Sequence, residues 1–392
     1  MIKRLRVKNF KALRDIEVEL TPIHVLIGPN DSGKTSILDV LAALCRSVDH
    51  QLNQAFLGSW KDTELVWAGN PKLLVTLETD FDDPMTKTYS ISVSFESFNR
   101  DKEIVVLNEF HDDGTVKKEL KGQQLIASTA VGSNTFISGD LANRCKHVKE
   151  LLRGVHYYRF DPSFLALPVA PDSKRSFRME SNGFGLALLL DEILSYDRKR
   201  FDQLEKRLTE IFPHIQTIKL KQEEAFRAPV DNSEQVTMLK KADGKGLYFE
   251  LKESGQLVPA SQASDGTLLV LAYLSILYLP QPPRLLLIEE PENGIHPKLL
   301  RDTLKILRDS VHEQSHTQVV LTTHSPYVLD LFKPEEVTLC TKLDTGEIKT
   351  TRMSDSPEVV RQLGVFTLGE IWTSEGDAKI ADSKAQPERA RE

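Results

Sequence analysis

The sequence predicts an α/β fold, on three observations. Residues Gly28 to Thr35 read GPNDSGKT, which matches G-x-x-x-x-G-K-[ST]. Far downstream, RLLLIEEPENGIHP (Arg284 to Pro297) sets an apolar run against two adjacent carboxylates. That is the signature of a buried strand delivering acids at its C-terminal end, where open α/β sheets bind ligands. Alternating and helix-periodic segments interleave along 392 residues, enough chain for two or three subdomains. Together these features specify a P-loop NTPase.

The glycine loop has the expected flanks. An apolar strand, Ile23–Ile27, precedes it and a helical pattern, Ser36–Leu44, follows. Strand, loop and helix in that order aim backbone N–H groups and a positive helix end at a phosphate. Gly28, Pro29, Asn30, Asp31, Ser32, Gly33, Lys34, Thr35 and Ser36 are therefore candidate nucleotide contacts. Lys34 is expected along the β- and γ-phosphate oxygens, and Thr35 on Mg²⁺ through its hydroxyl. A chance glycine turn is the plain alternative; the full motif and both flanks argue against it.

The remaining elements follow from periodicity. Residues 1–27 alternate as two or three strands, with Leu5, Val7, Ile16, Val18 and Leu20 on one face. From Trp60 to about Ser128 the pattern is β (LLVTLETDF, YSISVSF, EIVVLNEF), with a turn at Asp112–Gly114. Residues 141–153 read as helix and Val155–Phe160 as a buried strand ending at Asp161–Pro162; Pro168–Arg178 reads as a loop. One long helical stretch is expected from Gly185 to Phe212, stopped by Pro213. Strands at Thr217–Leu220 and Leu247–Leu251 flank a polar, mobile segment, 222–245. Then come a helix from Thr267 to Tyr278, a strand at Arg284–Ile288, a helix at Pro297–Val311 and a strand at Gln318–Leu321. From Glu375 onward the chain is charged and aperiodic and is expected to be disordered. There is no internal repeat and no sustained heptad pattern.

Composition narrows the classes. The formal net charge is −7, so the chain as a whole does not attract nucleic acid. Its opening, however, carries Lys3, Arg4, Arg6, Lys8, Lys11 and Arg14 before the first acid, Asp15. That edge either contacts phosphates or is the wet face of an amphipathic strand. Three cysteines, Cys45, Cys145 and Cys340, are far apart and lack C-x-x-C spacing, which fits a reducing cytoplasm. No run reaches the roughly 18–20 apolar residues of a membrane span, and the N-terminus lacks a signal-peptide core.

The acidic strand end gives the chemistry its second half. Glu289 is expected to hold Mg²⁺, through water, and Glu290 to polarise the attacking water. Neighbouring strand residues normally face opposite ways, but a strand end relaxes that rule. ASDGTL (Ala263 to Leu268) opens a helix; Ser264 and Gly266 either meet an anion there or form a plain N-cap. His324, in TTHSPYVLD, ends a strand and either touches a γ-phosphate or is a hydrogen-bonded structural histidine. His312, Glu313 and His316 match H-E-x-x-H, with Glu336 downstream. A zinc site needs both histidines on one helical face. Here a strand begins almost at once, so the helix is expected to end inside the motif.

These elements, in this order and with the opening MIKRLRVKNFKALRDIEVEL, resemble the ABC-type ATPase heads of the SMC/RecF/OLD-like group. The nearest resemblance is to bacterial "AAA family" ATPases of the OLD-like type, found in phage-defence or DNA-repair operons. It covers residues 1–372, an ABC-type head. Within it, 60–135 would be an inserted antiparallel β-lobe and 180–260 a helical and α+β insertion leading to the signature motif. Residues 373–392 would be a disordered tail.

The resemblance implies roles for matching positions. GPNDSGKT is the Walker A motif, Leu285–Glu289 the Walker B, and Glu290 the catalytic glutamate. Glu292–His296 is similar to the D-loop that crosses a dimer interface. Ser264–Gly266 stands where the group places its signature motif, on the γ-phosphate held by the other subunit, and His324 resembles the switch histidine. ATP and Mg²⁺ are the implied cofactors. The implied partner is a second copy, as a homodimer or higher oligomer with two ATP molecules between two heads. ASDGT departs from LSGGQ, Walker B ends in Glu rather than Asp, and a Q-loop glutamine is not identifiable. Nuclease relatives carry a TOPRIM domain with clustered acids, whereas the residues after His324 hold no D-x-D. A nuclease is thus expected to be a separate effector, and DNA stays a candidate partner. The leading expectation is a cytoplasmic ATP-hydrolysing switch in repair or anti-phage defence, with no membrane partner. The alternatives are a transporter's nucleotide-binding subunit and a sensor that binds ATP but scarcely hydrolyses it.

Overall fold

A computed structural model describes residues 1–48, 55–56, 65–67, 74–83, 86–98, 101–112, 117–121, 146–171, 179–226, 241–313 and 317–381. The chain forms two compact units, Met1–Val155 with Gln318–Glu392, and His156–Thr317. Its strands are β1 (Ile2–Phe10), β2 (Leu13–Glu19), β3 (Ile23–Ile27), β4 (Leu74–Phe81), β5 (Thr88–Phe98), β6 (Asp101–Asp112), β7 (Lys117–Lys121), β8 (Val155–Tyr158), β9 (Ile215–Phe226), β10 (Lys241–Leu251), β11 (Leu257–Pro259), β12 (Leu285–Glu289), β13 (Gln318–Thr323), β14 (Val337–Lys342) and β15 (Ile348–Arg352).

The first unit holds an antiparallel sheet in the order β2-β1-β4-β5-β6-β7. The β-rich stretch after the first helix therefore does not stand alone. Its strand β4 pairs directly with β1, Leu77 opposite Val7. The reason is the shared alternation: Leu5, Val7, Val18, Val75 and Leu77 are all buried, and one continuous sheet covers them together. The turn expected at Asp112–Gly114 lies mostly outside the described residues.

Basic residues on the wet face of β1, in the turn after it and on β2 meet acids. Arg4 pairs with Asp80 and Glu17, Arg6 with Glu17 and Glu78, Lys8 with Asp15, Lys11 with Asp39 and Arg14 with Glu347. Ion pairing of this kind, much of it between neighbouring strands, is what the wet-face reading of the charge run expects.

Four further strands of this unit lie side by side in the order β15-β14-β3-β13. Strand β3 runs parallel to both neighbours, with Val25 opposite Leu321 on one side and Val337 on the other. All five residues of β3 and all six of β13 are buried, as expected for strands covered on both faces. Helix Lys34–Arg46 packs Ile37, Leu38, Leu41 and Leu44 into this core. Gln318, at the start of β13, is buried and satisfied: its Oε1 accepts from Ile2 N at 3.0 Å, and its Nε2 donates to Ile2 O at 2.7 Å and Thr21 O at 3.1 Å.

The expected disorder from Glu375 is corrected as far as Ala381. A capping box of Thr367 and Glu370 starts helix Leu368–Glu375, and a second helix, Asp377–Ala381, follows. Trp372 Nε1 donates to Asp377 Oδ1 at 2.7 Å, and Ile380 is buried. Periodicity cannot reveal helices this short. Residues 382–392 lie outside the described part.

In the second unit β8 and β12 are neighbours, and β11-β10-β9 form a three-stranded antiparallel sheet. The single helix expected over Gly185–Phe212 is two helices, Leu186–Tyr196 and Arg198–Ile211. Asp197 between them caps the second, its carboxylate accepting from Lys199 N and Arg200 N. The polar segment 222–245 is also corrected: Gln222 to Phe226 continue β9, and Lys241 to Lys245 begin β10. The middle of that segment lies outside the described residues. A ribbon with a wet face pairs through its backbone whatever its polarity, so composition hid these strand ends. Helix Asp265–Leu277 is buried along its whole length from Thr267.

Candidate functional site

The first unit builds the glycine loop, Gly28 to Thr35, and holds His324. Gly28 adopts φ +149° at the end of β3, and a Cβ there would lie 2.1 Å from Cys340 O, so only glycine fits. Asp31 and Gly33 turn through the left-handed region, at φ 64° and 84°. This curls the loop into the N-terminus of helix Lys34–Arg46, whose N-cap is Gly33. Ser32 and Lys34 are buried; Pro29, Asn30, Asp31 and Thr35 are exposed. Lys34 Nζ crosses the loop from within, donating to Pro29 O at 2.7 Å, Gly28 O at 2.9 Å and Ser32 Oγ at 3.3 Å. Burial pushes the thiol of Cys340 up to about 12, against the opposing pull of the Lys34 charge. Lys342 pairs with Asp31 at the loop's rim. Thr323, the last residue of β13, is in register with Ile27, the last of β3. His324 therefore leaves its strand at the level where the glycine loop leaves β3.

The second unit holds Glu289 and Glu290, the segment Glu292–His296 and the segment Ser264–Gly266. Glu289 ends β12 and is buried, 6 % exposed. Tyr157 Oη donates to its Oε2 at 2.9 Å. Glu290 follows at φ 48°, a left-handed conformation that a non-glycine residue rarely adopts. That twist is how two consecutive carboxylates leave one strand end without the usual alternation. Asn293 Nδ2 donates to Glu290 Oε2 at 2.7 Å, and Asn293 N donates to Glu290 O at 3.1 Å. Arg159, just past β8, spans both acids: Nη1 is 3.7 Å from Glu289 Oε1 and Nη2 is 3.7 Å from Glu290 Oε2.

Ser264 is the N-cap of helix Asp265–Leu277. Its Oγ accepts from Thr267 N at 3.2 Å and lies 2.8 Å from Thr267 Oγ1. Ser264 and Asp265 are exposed and Gly266 is half-buried, while the helix is buried from Thr267 on, so the N-terminus is presented on a fixed base. Gly266 lets Leu299 approach; a Cβ there would be 3.0 Å from its Cδ2. Within the segment Glu292–His296, Gly294 turns at φ 82°, close enough that an added Cβ would sit 3.8 Å from Asp265 Cβ. The segments Glu292–His296 and Ser264–Gly266 are thus neighbours in space.

Tyr157, Arg159 and Asn293 were not singled out from the sequence. A signal existed for two of them: Tyr157 and Arg159 are two residues apart at the end of a strand and so share a face. Among the described residues no cluster of three or more His, Cys, Asp or Glu could hold a metal ion. The hydroxyl of Thr35 and the carboxylate of Glu289 are each hard oxygen donors of the kind that suit Mg²⁺. In the H-E-x-x-H stretch, helix Pro297–Glu313 is described through Glu313 and β13 begins at Gln318; His316 lies outside the described residues. No helix among the described residues is long and apolar enough to cross a membrane.

Comparison with known proteins agrees with the motifs. A curated relative, the OLD nuclease of Thermus scotoductus, is 23% identical over 356 residues, covering 87% of this chain. The match spans 62% of that relative's own length. Among solved structures, the SMC head bound to the C-winged helix domain of ScpA superposes with TM-score 0.51 at 14% identity, over 89% of this chain and 97% of that one. An SMC head domain from Thermotoga maritima gives TM-score 0.46 at 13% identity, over 90% and 98%. The family model described as "AAA domain, putative AbiEii toxin, Type IV TA system" matches residues 23–330, most of the sequence. The chain therefore belongs to this AAA domain family, a P-loop ATPase whose fold is similar to that of the SMC head.

Proposed function

We propose that the chain is a cytoplasmic, Mg²⁺-dependent ATPase switch that dimerises around ATP. In DNA repair or anti-phage defence it controls a separate effector such as a nuclease. The observation that carries this reading is the handling of Glu290: a carboxylate twisted out of its strand at φ 48° and aimed by Asn293. Functional side chains are where backbone strain of this kind accumulates.

In this reading Gly28 to Ser36 bind the phosphates through loop and helix N–H groups. Lys34 moves its Nζ from the loop carbonyls to phosphate oxygens. Thr35 and Glu289 would hold Mg²⁺, which when bound neutralises charge developing on the phosphoryl group. Glu290 orients the attacking water, and His324 meets the γ-phosphate. Ser264 and Gly266 serve the nucleotide of the opposite subunit, beside the D-loop.

The test is hydrolysis and oligomeric state in one pair of proteins. Glu290→Gln is expected to bind ATP, to lose turnover by a hundredfold or more and to accumulate as a dimer with ATP and Mg²⁺, read by light scattering. Hydrolysis at the wild-type rate in Glu290→Gln would overturn the assignment. Dimer formation indifferent to nucleotide would remove the switch.

A further inference from the structure

We infer that Arg159 is a positioning residue that straps the two acids together and shares Glu289 with the magnesium ion. The inference rests on the reading above, in which Glu289 is a metal ligand and Glu290 aims water. Two adjacent carboxylates repel one another, the more so where Glu289 is buried. The guanidinium of Arg159 offsets that repulsion with one nitrogen toward each acid, both at 3.7 Å. The planar guanidinium reaches the two acids with two different nitrogens, whereas a lysine has a single nitrogen on a flexible stem.

The strap is loose by construction. Its contacts are longer than hydrogen bonds, and the Arg159 side chain is 62 % exposed, so water screens the pair. Tyr157 makes the firm contact to Glu289 at 2.9 Å, and Asn293 the firm contact to Glu290 at 2.7 Å. Those two bonds fix where the acids sit. Arg159 adds a positive charge that a metal ion at Glu289 must work against. Once the ion is present, the guanidinium is left to Glu290 alone. Arg159 thus weakens metal capture and steadies the water-orienting acid.

The two effects have opposite signs, which makes them separable. In Arg159→Gln the full chain should bind Mg²⁺ about two- to fivefold more tightly, the scale of an exposed ion pair. Its turnover should nonetheless fall about tenfold. Arg159→Lys keeps the charge and loses the fork, so its Mg²⁺ affinity should return toward wild type while turnover stays low. Mg²⁺ affinity is read by calorimetry with the chain saturated in a non-hydrolysable ATP analogue, and thermal melting checks that each variant is folded. Unchanged or weaker Mg²⁺ binding in folded Arg159→Gln overturns the inference while leaving Glu290→Gln free to support the ATPase reading. Full hydrolysis in Glu290→Gln overturns both.

Discussion

Tyr157 Oη donates a 2.9 Å hydrogen bond to Glu289 Oε2, linking the last turns of β8 and β12 through a carboxylate that is 6 % exposed. A buried charge needs donors, and a hydroxyl from the neighbouring strand supplies one. Tyr157→Phe keeps the ring and removes only the donor. The variant should lose about 1–3 kcal/mol of stability, the cost of leaving a buried acceptor short of a partner. Urea unfolding at pH 7 measures it. A melting curve superimposable on wild type would mean that Glu289 is fully served by its other contacts.

Glu290 offers a prediction with the opposite sign for stability. Its φ of 48° is a backbone state that L-residues with a Cβ occupy at a cost of about 1–2 kcal/mol. Glycine has no such penalty, though it gives up entropy on folding. Glu290→Gly should therefore be as stable as wild type or up to about 1 kcal/mol more so, and should hydrolyse no ATP above background. In the proposed reading the glutamate keeps this unfavourable conformation, at the expense of stability, for activity. If Glu290→Gly proves clearly less stable than Glu290→Ala, the strain argument fails.

What the sequence made legible follows from how local each signal is. The glycine loop was readable because its residues are contiguous and each is dictated by one backbone requirement, Gly28 by the approach of Cys340 O and Gly33 by its left-handed turn. The acids at Glu289 and Glu290 were readable because a strand buried on both faces leaves an uninterrupted apolar run. The partners of those acids were not, because Tyr157 and Arg159 lie some 130 positions earlier and nothing in VHYYRF marks a pairing made only in space. The same holds for β1 joining β4: alternation foretells a strand but not its neighbour. The break at Asp197 was legible in hindsight, since aspartate is a strong N-cap residue, yet apolar periodicity on both sides masked it.

His24 makes the fold sensitive to mild acid. It lies fully buried on β3, with Nε2 2.9 Å from Thr338 Oγ1 and Nδ1 3.2 Å from Thr21 Oγ1. Burial, and to a lesser degree the charge of Arg352, lowers its pKa from the ordinary 6.5 to about 3. The folded chain thus keeps the imidazole neutral at pH values where the unfolded chain already takes up a proton. The stability held in this group is complete above about pH 6.5 and is lost as the pH falls from there toward about 3. The slope approaches about 1.4 kcal/mol per pH unit once the unfolded state is fully protonated. Wild type should lose stability over that window more steeply than His24→Asn, which has no titrating group at that position. The comparison is between the two slopes rather than the two absolute stabilities, because the substitution itself disturbs the contacts to Thr21 and Thr338. Parallel slopes, read by urea unfolding at half-unit steps between pH 6.5 and 4.5, would mean that His24 gains access to solvent before the sheet opens and that other groups carry the acid response.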